Sequence, residues 1–438
     1  MANDFKTSRK TELVALRAAE AAGYLTVGSS KYFKDQLKGK RNGTTFEFVI
    51  PDVGTFARGI DISAGGTPDL KEKKIAKQIL AENVKVATNI LEKVTDVNWD
   101  KEVARPNGKL LINGTVKDAI DGVKGQTIDG VTVTDYDGDW GDTNTAFAGI
   151  GYGPLTAAQN YLASVSDESQ YAFINPLINA KLSETGDSFK PSSADPIFSK
   201  GLLGKLGETE YRSCQFMPLV SVSSALATAM ATVDGIAYVD NGDKTATITL
   251  SASGSAIAVK IPKGFTIWVK GVYATDLVGM RTSALKAFVA VEDGANNGEM
   301  IVKALTAEDF IGRGNKLLCQ ADGSALGATQ AAAITALNGM VTTAGDVQFL
   351  EAGNWFGGQI RIDGAYEFEM LDEIDASNAD TERADNEGII VFQNRAIDVL
   401  KGSNVTRWSS LVMAGIVEPR CVATVLVKDA DTNKVKLV

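Results

Sequence analysis

Four aspartates fall within eight residues in the first third of the chain, at Asp135, Asp137, Asp139 and Asp142. Carboxylate oxygens at this spacing are ligands that a hard cation such as Ca²⁺ prefers. The twelfth position of an EF-hand loop counted from Asp135 would carry a bidentate glutamate, but in this chain it is Ala146. The four aspartates are therefore a candidate metal site, and a solvated surface loop is the alternative.

Other chemistry is restricted because the 438 residues include no histidine, the side chain that titrates unaided near neutral pH. Serine or cysteine nucleophiles paired with a histidine base are excluded, and acid–base chemistry would fall on carboxylates, lysines or tyrosines. Gly149, Gly151 and Gly153 do not fit a dinucleotide-binding pattern, and no GxxxxGK[ST] phosphate loop occurs. We expect no enzyme and no cofactor. A carboxylate pair such as Asp137 with Asp139 is the remaining enzymatic alternative.

The overall composition predicts a folded protein with weak affinity for nucleic acid. With 44% hydrophobic residues the chain can bury a large core, and its length favours two or three domains. The 44 basic and 54 acidic residues give a net charge of −10, which opposes tight binding to phosphates. Any contact with DNA should therefore be loose.

Cysteine usage and the chain start predict synthesis in a reducing compartment. Cys214, Cys319 and Cys421 are far apart and include no CxxC pair, so we expect no disulfide framework. The sequence has no apolar run of about 18 residues and no signal-peptide core at its start. The prediction is a chain that is neither exported nor embedded in a membrane.

Residues 1–40 predict an amphipathic helix followed by a basic connector. Leu13, Val14 and Leu16 share one face of this helix, and Gly23 is placed to end it. Because no core is evident nearby, we expect the apolar face to dock elsewhere or on another subunit. Packing on the helix's own domain is the alternative.

Residues 42–92 predict two strands joined by a polar connection. Residues 45–49 alternate apolar with polar, and residues 79–90 form a second candidate strand. The intervening glycines and the charged run 71–74 are too polar to build a core. Two such strands would make a projecting arm, which implies a partner because an isolated hairpin is marginal. The candidate intersubunit residues near this arm are Lys38, Lys40, Arg41, Arg58 and Asp61.

Helical and strand patterns alternate in the next part of the chain. A helix is expected over 107–123, and a second helix opens at Pro154 with Leu155, Ala158 and Leu162 on one face. Residues 171–175 predict a strand that ends in a turn at Pro176.

From about residue 222 the pattern becomes that of a small β module. Residues 236–239 and 245–250 flank an Asn-Gly turn and predict a hairpin. Further strands are expected at 257–261, 266–272 and 285–291, followed by a helix over 329–339. Short strands at regular spacing indicate a β-barrel or sandwich.

The C-terminal part predicts two strand pairs separated by an acidic loop. Residues 360–362 and 366–368 form the first pair, and residues 372–387 are expected to be a solvated loop. Residues 411–417 and 421–427 have the apolar density of buried strands and form the second pair.

This order of elements resembles the major capsid proteins of tailed phages with the Hong Kong 97-type coat fold, and more closely the coat proteins of the P-twenty-two type. The short sequences that carry the resemblance are 171–176 (YAFINP), 217–220 (MPLV), 246–251 (ATITLS) and 418–420 (EPR). The resemblance spans nearly the whole chain. It departs from the family over residues 92–146, where the sequence pattern for the family's long spine helix is weak.

The resemblance implies an α+β chain with an N-terminal arm, an extended loop, peripheral and axial domains and an inserted small β-barrel domain. The implied boundaries are 1–40 for the N-terminal arm, 41–92 for the extended loop (a long β-hairpin), 93–146 for the spine helix and peripheral domain, 147–221 and 345–378 for the two parts of the axial domain, 222–344 for the inserted domain and 379–438 for the return to the peripheral domain.

The resemblance also implies a structural role in a virion. Such proteins form hexamers and pentamers of an icosahedral shell around double-stranded DNA, with a scaffolding protein and a portal protein as partners. They are made and assembled in the host bacterial cytoplasm. Two alternatives remain open: an encapsulin-like bacterial nanocompartment shell, and, from a different class, a surface-layer or adhesion protein.

Overall fold

A computed structural model describes residues 4–30, 41–42, 45–51, 72–88, 100–122, 127–128, 131–132, 138, 146–148, 152–178, 202–206, 209–312, 314–370, 381–398 and 403–428. The α-helices of these ranges are α1 (Asp4–Ala21), α2 (Gly23–Thr26), α3 (Arg105–Asp121), α4 (Tyr152–Val165), α5 (Ser224–Met230), α6 (Ala307–Ile311) and α7 (Gln330–Asn338). A π-helical turn, Asp100–Ala104, precedes α3. No helix within the described ranges is long and apolar enough to cross a membrane.

The strands make the chain α+β, as predicted. Those of the first half are β1 (Ser29–Ser30), β2 (Arg41–Asn42), β3 (Thr45–Pro51), β4 (Glu72–Thr88), β5 (Thr127–Ile128), β6 (Val131–Thr132), β7 (Ala146–Ala148), β8 (Gln170–Ile174), β9 (Leu202–Leu206), β10 (Thr209–Ser213) and β11 (Leu219–Val222). Those that follow are β12 (Gly235–Asp240), β13 (Thr245–Ala252), β14 (Ser255–Ala256), β15 (Thr266–Thr275), β16 (Arg281–Val289), β17 (Glu299–Lys303), β18 (Leu318–Cys319), β19 (Val347–Phe349), β20 (Gly353–Ile362), β21 (Tyr366–Met370), β22 (Thr381–Asn386), β23 (Ile389–Asp398), β24 (Ser403–Ile416) and β25 (Val422–Lys428).

Two sheets form the body of the protein. The eight-stranded sheet has the order β1-β21-β24-β4-β3-β2, and β23 and β22 continue it beside β24. The seven-stranded sheet has the order β7-β25-β20-β8-β10-β9, with β11 on β20. Strands β20, β21 and β25 are buried over nearly their whole length, as strands covered on both faces must be.

Consecutive C-terminal strands divide between these two sheets, so both predicted strand pairs are wrong. Strands β20 and β25 pair with each other in the seven-stranded sheet, whereas β21 and β24 pair with each other in the eight-stranded sheet. Gly364 lies in the link between β20 and β21, and its φ of 78° allows the chain to turn there. The Val417 N–H, in the link between β24 and β25, donates to the Ala365 carbonyl at 3.0 Å. The link between β20 and β21 and the link between β24 and β25 therefore lie side by side. Apolar density predicted strands here but could not assign their partners.

Helix α1 packs on distant elements of its own chain, so the prediction that its apolar face docks elsewhere is confirmed, and docking on another subunit is wrong for its buried residues. Val14, Ala15 and Ala18 are fully buried against α3, β22 and β23. The helices approach closely at Gly108, where an added Cβ would lie 2.7 Å from the Val14 carbonyl oxygen. The expected core was missed because it is supplied by strands from the far end of the chain.

Several other predictions of single elements are confirmed. The helix expected over 107–123 is α3, and the helix expected after Gly153 is α4, with Leu155, Ala158 and Leu162 fully buried. The strand at 171–175 is β8. The acidic stretch differs from its prediction, because β22, within it, pairs with β23 rather than forming a solvated loop; residues 371–380 lie outside the described ranges.

The predicted β module is inserted between two neighbouring strands of the body. Strand β11 leads into it and β20 leads out, and these two strands pair with each other. The hairpin expected at 236–250 is β12 with β13, and the helix expected at 329–339 is α7. Strand β19 pairs with β15, and the end of the module at residue 344 stays a prediction.

The module's strands form two four-stranded sheets. One contains β12, β13, β14 and β17, the other contains β15, β16, β18 and β19, and a bridge between Glu292 and Ile301 joins them. The prediction of a strand at 257–261 is wrong. These residues form a loop whose Ile257 and Ile261 side chains are buried in the core, and that burial explains their apolar spacing. A closed barrel stays a prediction.

Candidate functional site

Most residues predicted to do chemistry or make contacts lie outside the described ranges. This holds for the candidate metal ligands and for all but one of the candidate intersubunit residues, namely Asp135, Asp137, Asp139, Asp142, Lys38, Lys40, Arg58 and Asp61. Arg41 lies in β2, where its backbone pairs with Phe46 of β3. Among the described residues, no group of three or more acidic or cysteine side chains could hold a metal ion.

Strand β4 changes its pairing partner halfway along its 17 residues. From Thr88 to Ile79 it pairs with β24, in a register that ends at Ile79 opposite Met413. From Gln78 to Glu72 it pairs with β3 instead. The run at 71–74, interpreted from sequence as a connection, therefore contributes its residues Glu72 onward to a strand. Charge in this segment was a poor guide because the backbone pairing of two strands does not require apolar side chains.

We call β3 together with residues 72–78 of β4 the ribbon. The seven residues of β3 span about 20 Å at the rise of an antiparallel strand. Short strand β2 pairs with the start of β3, and no other described strand pairs with the ribbon. A two-stranded ribbon is at best marginally stable in water without a surface to lie against. The antiparallel pairing of its two strands is shown, and the projecting arm predicted from sequence stays a prediction.

The ribbon is rooted in the core of the eight-stranded sheet. Val84 of β4 pairs with Trp408 of β24, and both side chains are buried. On its other side Trp408 pairs with Gln393 of β23. Because the root pairs with a buried strand of the body, the direction in which the ribbon leaves β24 is set by the body.

A buried arginine holds the N-terminal segment onto the seven-stranded sheet. The Arg361 guanidinium lies 4.4 Å from the Phe173 ring centroid and 4.1 Å from that of Tyr366, and it donates to the Val27 carbonyl at 2.6 Å. It also donates to the carbonyl of Tyr24. The Tyr24 hydroxyl in turn donates to Gln359 at 3.0 Å. This cluster fixes α2 against the body by cation–π and hydrogen-bond contacts.

A second buried arginine joins the body to the inserted module. Arg420 makes two hydrogen bonds of 2.8 Å to the two carboxylate oxygens of Glu418, one from Nε and one from Nη2. Its Nη1 donates to the Asp276 carbonyl at 2.8 Å and also to the Gly314 carbonyl, both in the module. Burial opposes the charged guanidinium, but Glu418 outweighs it, so the pKa of Arg420 is raised above its ordinary value.

Sequence reasoning singled out Glu418 and Arg420 only as part of a resemblance. A signal for their role was present, because two charged residues interrupt an otherwise apolar stretch from residue 411 to 427. Buried charges are nearly always paired. What the sequence could not provide was the position of Asp276 and Gly314, which come from loops more than a hundred residues earlier.

The cysteines of the body are held as neutral thiols. Burial raises the pKa of Cys214 to about 11 and that of Cys421 to about 12. All three cysteines of the chain, Cys319 included, are buried and unpaired. Because the thiolate is the nucleophile, such thiols are unreactive at neutral pH.

No family model matches the chain, and no curated protein matches it. Among solved structures, one of Mycobacterium phage Che8 is similar at 9% identity and a TM-score of 0.39, covering 92% of this chain and 89% of that one. An acid-stable capsid structure of Helicobacter pylori bacteriophage KHP30 gives 9% identity and a TM-score of 0.38, covering 92% and 86%.

The capsid of Ralstonia phage GP4 is similar to the same degree, at 9% identity and a TM-score of 0.39, covering 89% of this chain and 84% of that one. TM-scores below 0.5 do not establish a shared fold. The function proposed below therefore rests on the organisation of the chain itself.

Proposed function

We propose that the chain is a structural major capsid protein of a tailed double-stranded DNA phage, which assembles with copies of itself into an icosahedral shell that encloses the genome. The observation that carries this proposal is the ribbon. Its strands pair with each other beyond the point where β4 leaves β24, and its root pairs with the buried strand β24 of the body. A projecting ladder of this kind gains stability when it lies across a neighbouring copy.

The energetic argument is that a shell subunit needs arms that bind the next subunit. A head-to-tail interface puts a different surface on each side of the contact, and repetition of such a contact closes a ring when the rotation allows it. Individual exposed ion pairs in such an interface contribute only about 0 to 1 kcal/mol each. Shell stability then comes from many copies of a weak contact, to which Lys38, Lys40, Arg41, Arg58 and Asp61 are proposed to contribute.

The finer assignment is a Hong Kong 97-type coat fold of the P-twenty-two type. Under it the ribbon and its connection form the extended loop, α3 is the spine helix, the seven-stranded sheet is the axial domain, and the eight-stranded sheet belongs to the peripheral domain. The inserted module is the additional β-barrel domain. The adjacency of β11 and β20 supports the insertion, because both ends of the module meet at one place on the body.

The partners proposed under this assignment are hexamers and pentamers of the chain, a scaffolding protein, a portal protein and packaged DNA. Contact with DNA is loose in this proposal, because a net charge of −10 gives little counterion release on binding phosphates. The site of action is the virion, with assembly in the host bacterial cytoplasm.

The first test is sedimentation of the purified chain at high concentration. Megadalton particles that appear as closed shells by negative-stain microscopy are expected. A compact monomer that stays monomeric at high concentration would overturn the shell proposal. Nuclease-protected DNA in particles recovered from infected cells distinguishes a phage capsid from a nanocompartment shell.

The second test removes the arm. Deletion of residues 54–70 should leave a chain whose thermal unfolding matches the wild type but which forms no closed shells. The surface variant Thr228→Ala, on exposed helix α5 of the module, is the matched control and should assemble normally. Normal particles from the deletion variant would contradict the assignment of the ribbon as an intersubunit arm.

A further inference from the structure

The link between β24 and β25 contains a buried cation whose contacts extend into the inserted module. This link, residues 417–421, carries the chain from the eight-stranded sheet to the seven-stranded sheet. Arg420 in the middle of it is only 3% exposed. Strand β24 is also the strand on which the ribbon's root is built. Arg420 therefore lies on the link that joins the two sheets, and it also contacts the module.

The donors of Arg420 divide between the two regions. Two of them bind Glu418 within the link, and Nη1 binds the Asp276 and Gly314 carbonyls of the module. The planar guanidinium donates to both carboxylate oxygens of Glu418 while its Nη1 donates to the module. Lysine cannot make both sets of contacts, because its ammonium is a compact charge that cannot form two parallel hydrogen bonds to a carboxylate. The contact is specific to arginine at this position.

Asp276 is the residue that shapes the loop between β15 and β16. Its carboxylate accepts from the Val278 N–H at 3.0 Å and from the Met280 N–H at 2.8 Å. Its own N–H donates to the Met280 carbonyl at 2.9 Å, and its carbonyl accepts from Gly279. The carbonyl that receives Arg420 therefore belongs to the residue on which the loop's hydrogen bonds converge.

The loop so held presents two large apolar side chains to solvent. Val278 is 54% exposed and Met280 is 66% exposed, although most of the module's apolar residues are buried. Another polar contact between body and module, the one between Lys263 and Asp121, is longer and more exposed to solvent. Lys263 Nζ lies 3.3 Å from Asp121, and both side chains are about one third exposed.

We propose that Arg420 is the joint that fixes the 276–280 loop relative to the link between the two body sheets, so that the conformation of this exposed module loop depends on the position of β24. Lys263 and Asp121 hold the module without shaping this loop. The joint is a property of the single chain and goes beyond the proposed function, since it does not depend on whether shells form.

The test is amide hydrogen exchange of the monomeric full-length chain, followed in a peptide that covers residues 276–282. Arg420→Lys should accelerate exchange of the Val278 and Met280 amides by about tenfold, because the Asp276 carbonyl is no longer held by the guanidinium. Exchange in β13 and β25 should remain slow. Lys263→Gln, the matched control that removes the other tie, should leave the loop within about twofold of the wild type.

Glu418→Gln keeps Arg420 and its contacts to the module and provides a second variant in case Arg420→Lys does not fold. It should accelerate exchange of the loop by roughly threefold, because one charge-assisted partner of the guanidinium is lost. Loop exchange unchanged in both Arg420→Lys and Glu418→Gln would overturn the proposal. An equal acceleration by Lys263→Gln would overturn it as well, because the exchange of the loop would then depend on any contact between body and module and not on Arg420 in particular.

Discussion

The inserted module and the two-sheet body differ in how far apart in sequence their paired strands lie. In the module β12 pairs with β13 across a short turn, and β15 pairs with β16, the next strand. In the body β4 pairs with β24, with Thr88 opposite Asn404, and β8 pairs with β20 on the far side of the module. Turns therefore fix the register of these two strand pairs of the module, whereas the pairing of β4 with β24 in the body requires both ends of the chain.

This difference leads us to expect separate unfolding of the two regions. Local contacts form at small loop-closure cost, whereas the body's ladders close loops of hundreds of residues. The module should remain folded under conditions in which the body opens. A variant confined to one region, with the stability of both regions measured, tests this expectation.

The largest effect is expected from Trp408→Ala in β24. This side chain is 1% exposed and lies between β4 and β23, so its removal should lower the free energy of unfolding of the body by about 3–5 kcal/mol. Urea unfolding monitored by hydrogen exchange should show earlier opening of the body with the module's transition unchanged. Trp268→Ala, at a partly buried position of β15, is the matched control and should affect the module alone. Equal loss in both regions from Trp408→Ala would contradict separate unfolding.

A smaller effect is expected from Tyr238→Phe in the module. The Leu305 N–H donates to the Tyr238 hydroxyl at 2.9 Å in a buried setting. Loss of the hydroxyl leaves that N–H without its acceptor, which should cost about 1–3 kcal/mol in the module's unfolding. The counterpart in the body is Tyr211→Phe, which removes the hydroxyl bonded to Gln159. If Tyr238→Phe lowered the stability of the body instead, the two regions would not be independent.

The same contrast explains which elements could be predicted from sequence. The hairpin of β12 and β13 was predictable because its Asn-Gly turn is local, with Gly242 at a φ of 78°. The single strands of the body were predictable from apolar density, but not their partners. Strand β4 was predicted too short because its Glu72 end carries charge, and charge excludes a core but not a ladder.

The candidate site was predictable to a lesser degree for the same reason. The two strands of the ribbon could be inferred from the pattern at 45–49 and 79–90, whereas their role as a projecting arm stays a prediction. The joint could not be inferred, because Arg420 meets Asp276 and Gly314 only after the module has folded and the chain has returned. A buried cation in an apolar segment predicts a partner but gives no information on where that partner lies.

Ionisation of Cys421 should give a pH effect of about 1 kcal/mol on the stability of the body. The pKa of Cys421 is raised to about 12 by burial, while an unfolded cysteine ionises near 8.5. The folded chain therefore binds more protons than the unfolded chain above that value, and stability falls as pH rises. Between pH 8.5 and 9.5 the wild-type body should lose about 1 kcal/mol more than Cys421→Ala. Urea titrations at both pH values measure this, and parallel losses in the two proteins would contradict the assigned cause.

The smallest effect is expected at the boundary between the two regions, where Lys428 of β25 binds Glu351 at 2.7 Å just before β20. The pair lowers the pKa of Glu351, so its contribution is present above the unfolded value and is lost as pH falls through the folded one. Because Glu351 is 76% exposed, solvent screens the pair, and Glu351→Gln should cost about 0.5 kcal/mol or less at pH 7. At pH 3 the difference from wild type should disappear. A larger loss at pH 7 that lowered both transitions together would mean that this boundary couples body and module, and that the two regions unfold as one.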